Sequence, residues 1–138
     1  MTKGQKIAFR ILFFLYVAGV LFMCFGRFEN TPSIEFSLFG IPTDKLVHFT
    51  MFFPFPILAF FAFDRFTETV KSTLIFVSVT CVIGVLMAVA TEWGQAHFTD
   101  YRSGDPLDFL ADTLALILSS VIVAVVDIRK QRKVLASK

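Results

Sequence analysis

The sequence predicts an all-α, polytopic membrane protein with four transmembrane helices and both termini in the cytoplasm. Three observations carry that prediction. Hydrophobic residues make up 56% of the 138 and charged ones only 17%, with a mean hydropathy of +0.73, too apolar for a surface that faces water. Four stretches approach the roughly 20 apolar residues that a helix needs to cross a bilayer. Lys and Arg cluster at the two ends and between the second and third stretches, the bias that marks cytoplasmic segments.

The first span runs from about Ile7 to Phe25. Arg10 lies close enough to its start to snorkel to the interface. Lys3 and Lys6 look like the start of a signal peptide, but the apolar run is too long and has no small-x-small cleavage site, so an uncleaved span is expected. The second, about Asp44 to Phe63, is dense in Phe and contains Pro54 and Pro56, which remove backbone donors and predict a kink near its middle. The third, about Ser72 to Thr91, carries no charge. The fourth, about Pro106 to Val126, has Asp108 and Asp112 in its first two turns and is then apolar.

Residues 1–138 thus form one membrane domain with short connections. The longest, Gly26 to Thr43, alternates Ile34, Phe36 and Leu38 with Ser33, Glu35 and Ser37, a strand-like period. Cys24 and Cys81 both fall in apolar runs and read as packing residues, with no metal-ligand spacing. The formal charge of +2 sits mostly at the termini and gives no sign of nucleic-acid binding. The basic residues of the tail, Arg129, Lys130, Arg132, Lys133 and Lys138, lie on the cytoplasmic side in this topology.

The same topology gathers the polar residues at span ends on the outer face. Asp44, Lys45 and His48 open span two, Glu92 and Gln95 follow span three, and Arg102, Asp105, Asp108 and Asp112 lead into span four. Charge at membrane depth is costly and is by default functional. Asp44 and His48 share a helix face, as do Asp105, Asp108 and Asp112. Seven residues of helix rise roughly 10 Å, so Asp112 lies deepest and needs either a proton or a partner such as Arg102.

Asp44 and Asp105 suit N-caps, and Pro106 the first helical position. Glu92 closes a helix whose dipole disfavours it, so it needs Lys45, His48 or Arg102. Gln95 can donate and accept beside it. His48 is either a satisfied structural histidine or, next to a carboxylate, a titrating group or ligand. His97, beside Phe98, reads as a loop residue on the surface. Asp44, His48, Glu92 and Asp108 are a conceivable metal set, but their spacing matches no known site and no cofactor is assigned. Ser103 carries no mark of an activated nucleophile.

Asp44, Lys45, His48 and Phe49, then Thr91, Glu92 and Gln95, then Arg102, Ser103, Asp105, Asp108 and Ala111 with polar Asp112, resemble the VanZ-like membrane-protein family over roughly Ile41 to Val126. Asp112 stands where the family pattern usually has Asn, and Leu114, Ala115 and Leu116 replace glycines that often follow. The resemblance implies a bacterial cell-envelope role in the inner membrane. The family's namesake is associated with resistance to the glycopeptide teicoplanin, and no settled activity comes with it.

The preferred expectation is an outward site for the headgroup of an anionic lipid or lipid-linked intermediate. Lys45 and Arg102, with the helix amino ends, hold phosphate, while Asp44, Glu92, Asp108 and Asp112 orient those cations or share a divalent ion. A membrane enzyme acting on a lipid-linked phosphate, with Glu92 or His48 as general acid or base, is the alternative; its turnover would lose one titrating group in Glu92→Gln. A non-catalytic envelope scaffold is the other, in which Glu92 or Arg102 substitutions lower stability alone. Membrane lipids are partners in every case, and homo-oligomerisation stays open.

Overall fold

The computed structural model describes residues 1–26, 37–38, 41–63, 67–99 and 104–137. It is an all-α membrane protein: four helical crossings are long and apolar enough to span a bilayer, Lys3–Phe25, Thr43–Phe63, Val70–Phe98 and Pro106–Ala136. The first is α1 (Lys3–Phe25), the second is split into α2 (Thr43–Phe52) and α3 (Pro54–Phe63), and the last two are α4 (Val70–Phe98) and α5 (Pro106–Ala136). Of the strand-like stretch, Ser33–Phe36 lie outside the described residues. Its last two residues form β1 (Ser37–Leu38), which pairs antiparallel with β2 (Ile41–Pro42), Leu38 opposite Ile41.

Each boundary has a local cause. Thr2 and Gln5 form a capping box on α1, and Thr69 and Ser72 form one on α4, so both helices start before their apolar runs do. The break at Phe53 follows from Pro54, as the prolines predicted. The last four carbonyls of a helix lack intrahelical partners, and the Tyr16 hydroxyl of α1 donates to one of them, that of Met51. Arg10 does not simply reach outward: its Nε donates to the Ala62 carbonyl at 3.1 Å and its guanidinium lies over the Phe63 ring.

Two spans run beyond their hydropathy limits. α4 continues seven residues past Thr91, because Glu92 and Gln95 point inward to partners and so extend the helix's buried face. α5 continues ten residues past Val126 through a stretch rich in Arg, Lys, Gln, Leu and Ala, which favour helix, with no Gly or Pro to break it. His97 therefore sits in the last turn of α4 rather than in a loop; it is exposed, stacked on Trp93 with 4.6 Å between ring centres.

The interior is narrow and made of small residues. Thr73, Val77, Thr80, Gly84, Ala88, Thr91 and Gln95 line the buried face of α4 at steps of three and four, opposite Ala115, Leu116, Ser119 and Val123 of α5. Small side chains let helices approach closely where lipid supplies no hydrophobic drive. Gly84 shows how closely, since a Cβ there would meet Leu116 Cδ2 at 2.5 Å. The outer surface carries exposed Phe14, Phe22, Leu86, Leu114 and Val121, as contact with lipid requires.

Polar groups close both ends of this interior. At the end away from the site, Asp127 of α5 is buried and accepts from Thr73 Oγ1 at 2.7 Å and Gln131 Nε2 at 2.9 Å. Nineteen residues of α4 separate Thr73 from Glu92, a rise of roughly 28 Å, close to the hydrocarbon thickness of about 30 Å. The two polar clusters therefore lie about one hydrocarbon thickness apart.

Candidate functional site

The amino ends of α2 and α5 and the carboxyl end of α4 converge, bringing together the polar residues that the sequence had scattered over three segments. Asp105 caps α5: its carboxylate accepts from the Leu107 N–H at 2.8 Å, and Pro106 takes the first helical position. The Asp105 N–H in turn donates to Glu92 Oε2 at 2.9 Å, tying α5 to α4. Gly104 makes this approach feasible, because a Cβ there would lie 2.9 Å from the Glu92 carbonyl oxygen.

Lys45 lies at the centre of a carboxylate ring. Its Nζ is 2.8 Å from Asp44 and 2.6 Å from Asp108, and it also pairs with Asp105. The Lys45 contact, with the Leu107 N–H second, holds the Asp105 carboxyl below the usual carboxylate range. Asp44 is not the N-cap expected of it. Pro42 occupies that position and α2 begins at Thr43, so the exposed Asp44 carboxylate acts as a first-turn charge and a partner for Lys45.

One turn deeper, His48 faces three carboxylates. Its Nδ1 is 3.2 Å from Asp112 Oδ1 and 3.8 Å from Glu92 Oε1, and its Nε2 is 3.5 Å from Asp108 Oδ2. Asp112 is fully buried, and among the described residues its ion-pair partner is His48 from α2. Asp108 bridges the two layers, with Oδ1 toward Lys45 and Oδ2 toward His48. Glu92 is 9% exposed, and its Oε1 has no hydrogen-bond partner among the described residues.

Gln95 does not join this cluster. It is buried, and its Nε2 donates at 2.9 Å to the Cys24 carbonyl at the end of α1, so it anchors α1 to α4. Arg102 and Ser103 lie outside the described residues. The other expected residues, Asp44, Lys45, His48, Glu92, Asp105, Asp108 and Asp112, form one connected group. Cys24 is buried and Cys81 half-buried within the bundle.

Sequence reasoning missed the Tyr16 contact and the Asp127 cluster. The second had a signal: Ala115, Ser119, Val123, Asp127 and Gln131 follow at steps of four, so Asp127 continues an inward face rather than starting a solvated tail. No family model, curated protein or solved structure matches this chain.

Proposed function

We propose that this chain is a VanZ-like protein of the bacterial inner membrane whose polar site receives the phosphate-bearing headgroup of an anionic lipid or lipid-linked envelope intermediate at the outer face. The observation that carries the proposal is the convergence of seven ionisable residues from three helices at one end of an otherwise apolar bundle. The site's depth supports a lipid ligand, because His48 and Asp112 are buried at a level reached from within the bilayer, while Asp44 at the rim is exposed.

The charge balance shapes how a phosphate is held. Five carboxyl groups, Asp44, Glu92, Asp105, Asp108 and Asp112, surround Lys45 and His48, and Lys45 already serves three of them. A bare phosphate meets net negative charge there. It enters with a cation, or with Lys45 exchanging a carboxylate for phosphate and Arg102 adding a second positive group.

Native mass spectrometry of protein released gently from its own membrane tests the proposal. The expected result is a co-purifying phosphate-bearing lipid on the parent protein that is lost in the double variant Lys45→Ala, Arg102→Ala. A lipid-free parent, or equal lipid occupancy in the folded double variant, overturns it.

A further inference from the structure

We infer that His48, Glu92 and Asp108 form a binding site for one divalent transition-metal ion, with Asp112 positioning His48 through its other ring nitrogen. The inference deepens the headgroup proposal and rests on it for the purpose of the ion, which is to counter the site's negative charge and bridge to phosphate.

The geometry begins with His48. A carboxylate accepts hydrogen bonds and donates none, so with Asp112 ionised the 3.2 Å contact to its Oδ1 puts the proton on Nδ1. That leaves the Nε2 lone pair facing Asp108 Oδ2 at 3.5 Å. A buried histidine oriented by a carboxylate on one nitrogen, with the other nitrogen free, is the arrangement that metal-ligating histidines use.

Glu92 supplies the independent observation. Its Oε2 is occupied by the Asp105 N–H, while Oε1 is buried without a hydrogen-bond partner among the described residues and lies 3.8 Å from His48 Nδ1, on the side of the ring that Asp112 holds. A buried, unsatisfied carboxylate oxygen carries a large desolvation cost. One donor atom from each of His48, Glu92 and Asp108 lies within 4.8 Å of the other two. Ligand bonds of about 2.0–2.2 Å put donors roughly 3–3.5 Å apart, so small side-chain rotations close the set.

A second proton on His48 is the competing way to fill this space. It gives Asp108 a donor and Glu92 Oε1 only an ion pair at 3.8 Å, with no hydrogen bond, whereas an ion coordinates one atom of each of the three side chains. The neighbouring carboxylate triad, Asp44, Asp105 and Asp108, is not a second site, because the Lys45 ammonium already occupies it. One imidazole with two carboxylates suits Zn²⁺, Mn²⁺ or Co²⁺ better than soft Cu⁺.

The test is calorimetric titration of the full chain in phosphate-free detergent micelles with Zn²⁺ alone and no added lipid. One Zn²⁺ per chain is expected, with at least tenfold weaker binding in Glu92→Gln and in His48→Gln. Asp112→Asn should weaken binding about 10- to 100-fold by disturbing the orientation of His48. His97→Ala, which removes the exposed histidine, should bind like the parent. Co²⁺ gives a second readout, a visible d–d absorption that Zn²⁺ abolishes and that is missing in Glu92→Gln.

Glu92→Gln and Asp112→Asn are near-isosteric, and retained helicity and elution position establish that they fold. Absence of saturable Zn²⁺ binding by the parent overturns the inference, as does unchanged affinity in folded Glu92→Gln. Zn²⁺ binding by a chain that retains no lipid leaves the metal site standing and removes the headgroup proposal. Lipid retention without Zn²⁺ binding does the reverse.

Discussion

Replacing Gly104 by alanine should loosen the site from the rear, and the size of the effect follows from two distances. The new Cβ would lie 2.9 Å from the Glu92 carbonyl oxygen and 3.3 Å from Ala96 Cβ, and real Cβ contacts seldom fall below 3.4 Å. The Glu92 carbonyl is fixed within α4, so the segment before α5 has to move. Going from 2.9 to about 3.4 Å requires a shift of about 0.5 Å, since close-packed interiors offer no slack. Passed on to Asp105, that shift stretches its N–H contact to Glu92 Oε2 from 2.9 Å to about 3.4 Å, beyond the normal range.

A hydrogen bond to a charged group contributes about 1.5–3 kcal/mol, and overpacking costs about 1–3 kcal/mol. The two are alternative outlets for one strain and do not add. A net loss of about 2 kcal/mol is expected, roughly a 30-fold drop in the folded-to-unfolded ratio. Reversible unfolding in mixed micelles of rising SDS content, followed by far-ultraviolet circular dichroism, measures it. Gly19→Ala is the control, because a Cβ there meets nothing within 4 Å. A Gly104→Ala protein within about 0.5 kcal/mol of its parent, or an equal loss in Gly19→Ala, would refute the steric argument.

Two further outcomes follow from the same geometry. The Asp105 carboxyl is held below its ordinary value, so its contribution to stability is present above the ordinary carboxylate pKa of about 3.9 and disappears as the pH falls through the lower folded value. Asp105→Asn keeps a capping side chain but not the ion pair. Its stability should therefore change less than the parent's between pH 4 and pH 2; parallel melting curves for the two proteins would count against the Lys45 pairing. For orientation, His97→Cys should react with a membrane-impermeant maleimide from outside intact cells, and Ser137→Cys only after permeabilisation. The opposite pattern would put the polar site on the cytoplasmic side.

Composition made the four crossings legible, because a helix facing lipid must be apolar over a fixed length. It said less about where helices stop. Hydropathy falls at Thr91 and at Val126, yet hydrogen bonding and propensity carry α4 to Phe98 and α5 to Ala136. The cluster of Lys45, His48, Glu92, Asp105, Asp108 and Asp112 was visible because each residue is expensive in its local setting. Its pairing was not. Whether Asp112 meets His48 or Arg102 depends on helix rotation and crossing, which one chain's periodicity does not encode. Gln95 illustrates the same limit: its position beside Glu92 suggested the site, whereas its rotation on α4 delivers it to α1. Asp44 lost the capping role because Pro42, with its fixed backbone angle, takes the N-cap position two residues earlier.

The break at Phe53 divides the second crossing into parts with different neighbours. α2 packs chiefly on α5 and carries Lys45 and His48, whereas α3 packs chiefly on α1 and faces the apolar half of the bundle. The Tyr16 hydroxyl, set on the Met51 carbonyl, stitches α1 to the seam between them. One crossing thus holds two independent design problems. Under the proposed function the upper half answers to headgroup chemistry, while the lower half answers to membrane thickness and lipid type. Substitutions on the lipid-facing side of α3 can accumulate without touching the polar residues that α2, α4 and α5 bring together, so one polar centre can serve in membranes of quite different composition.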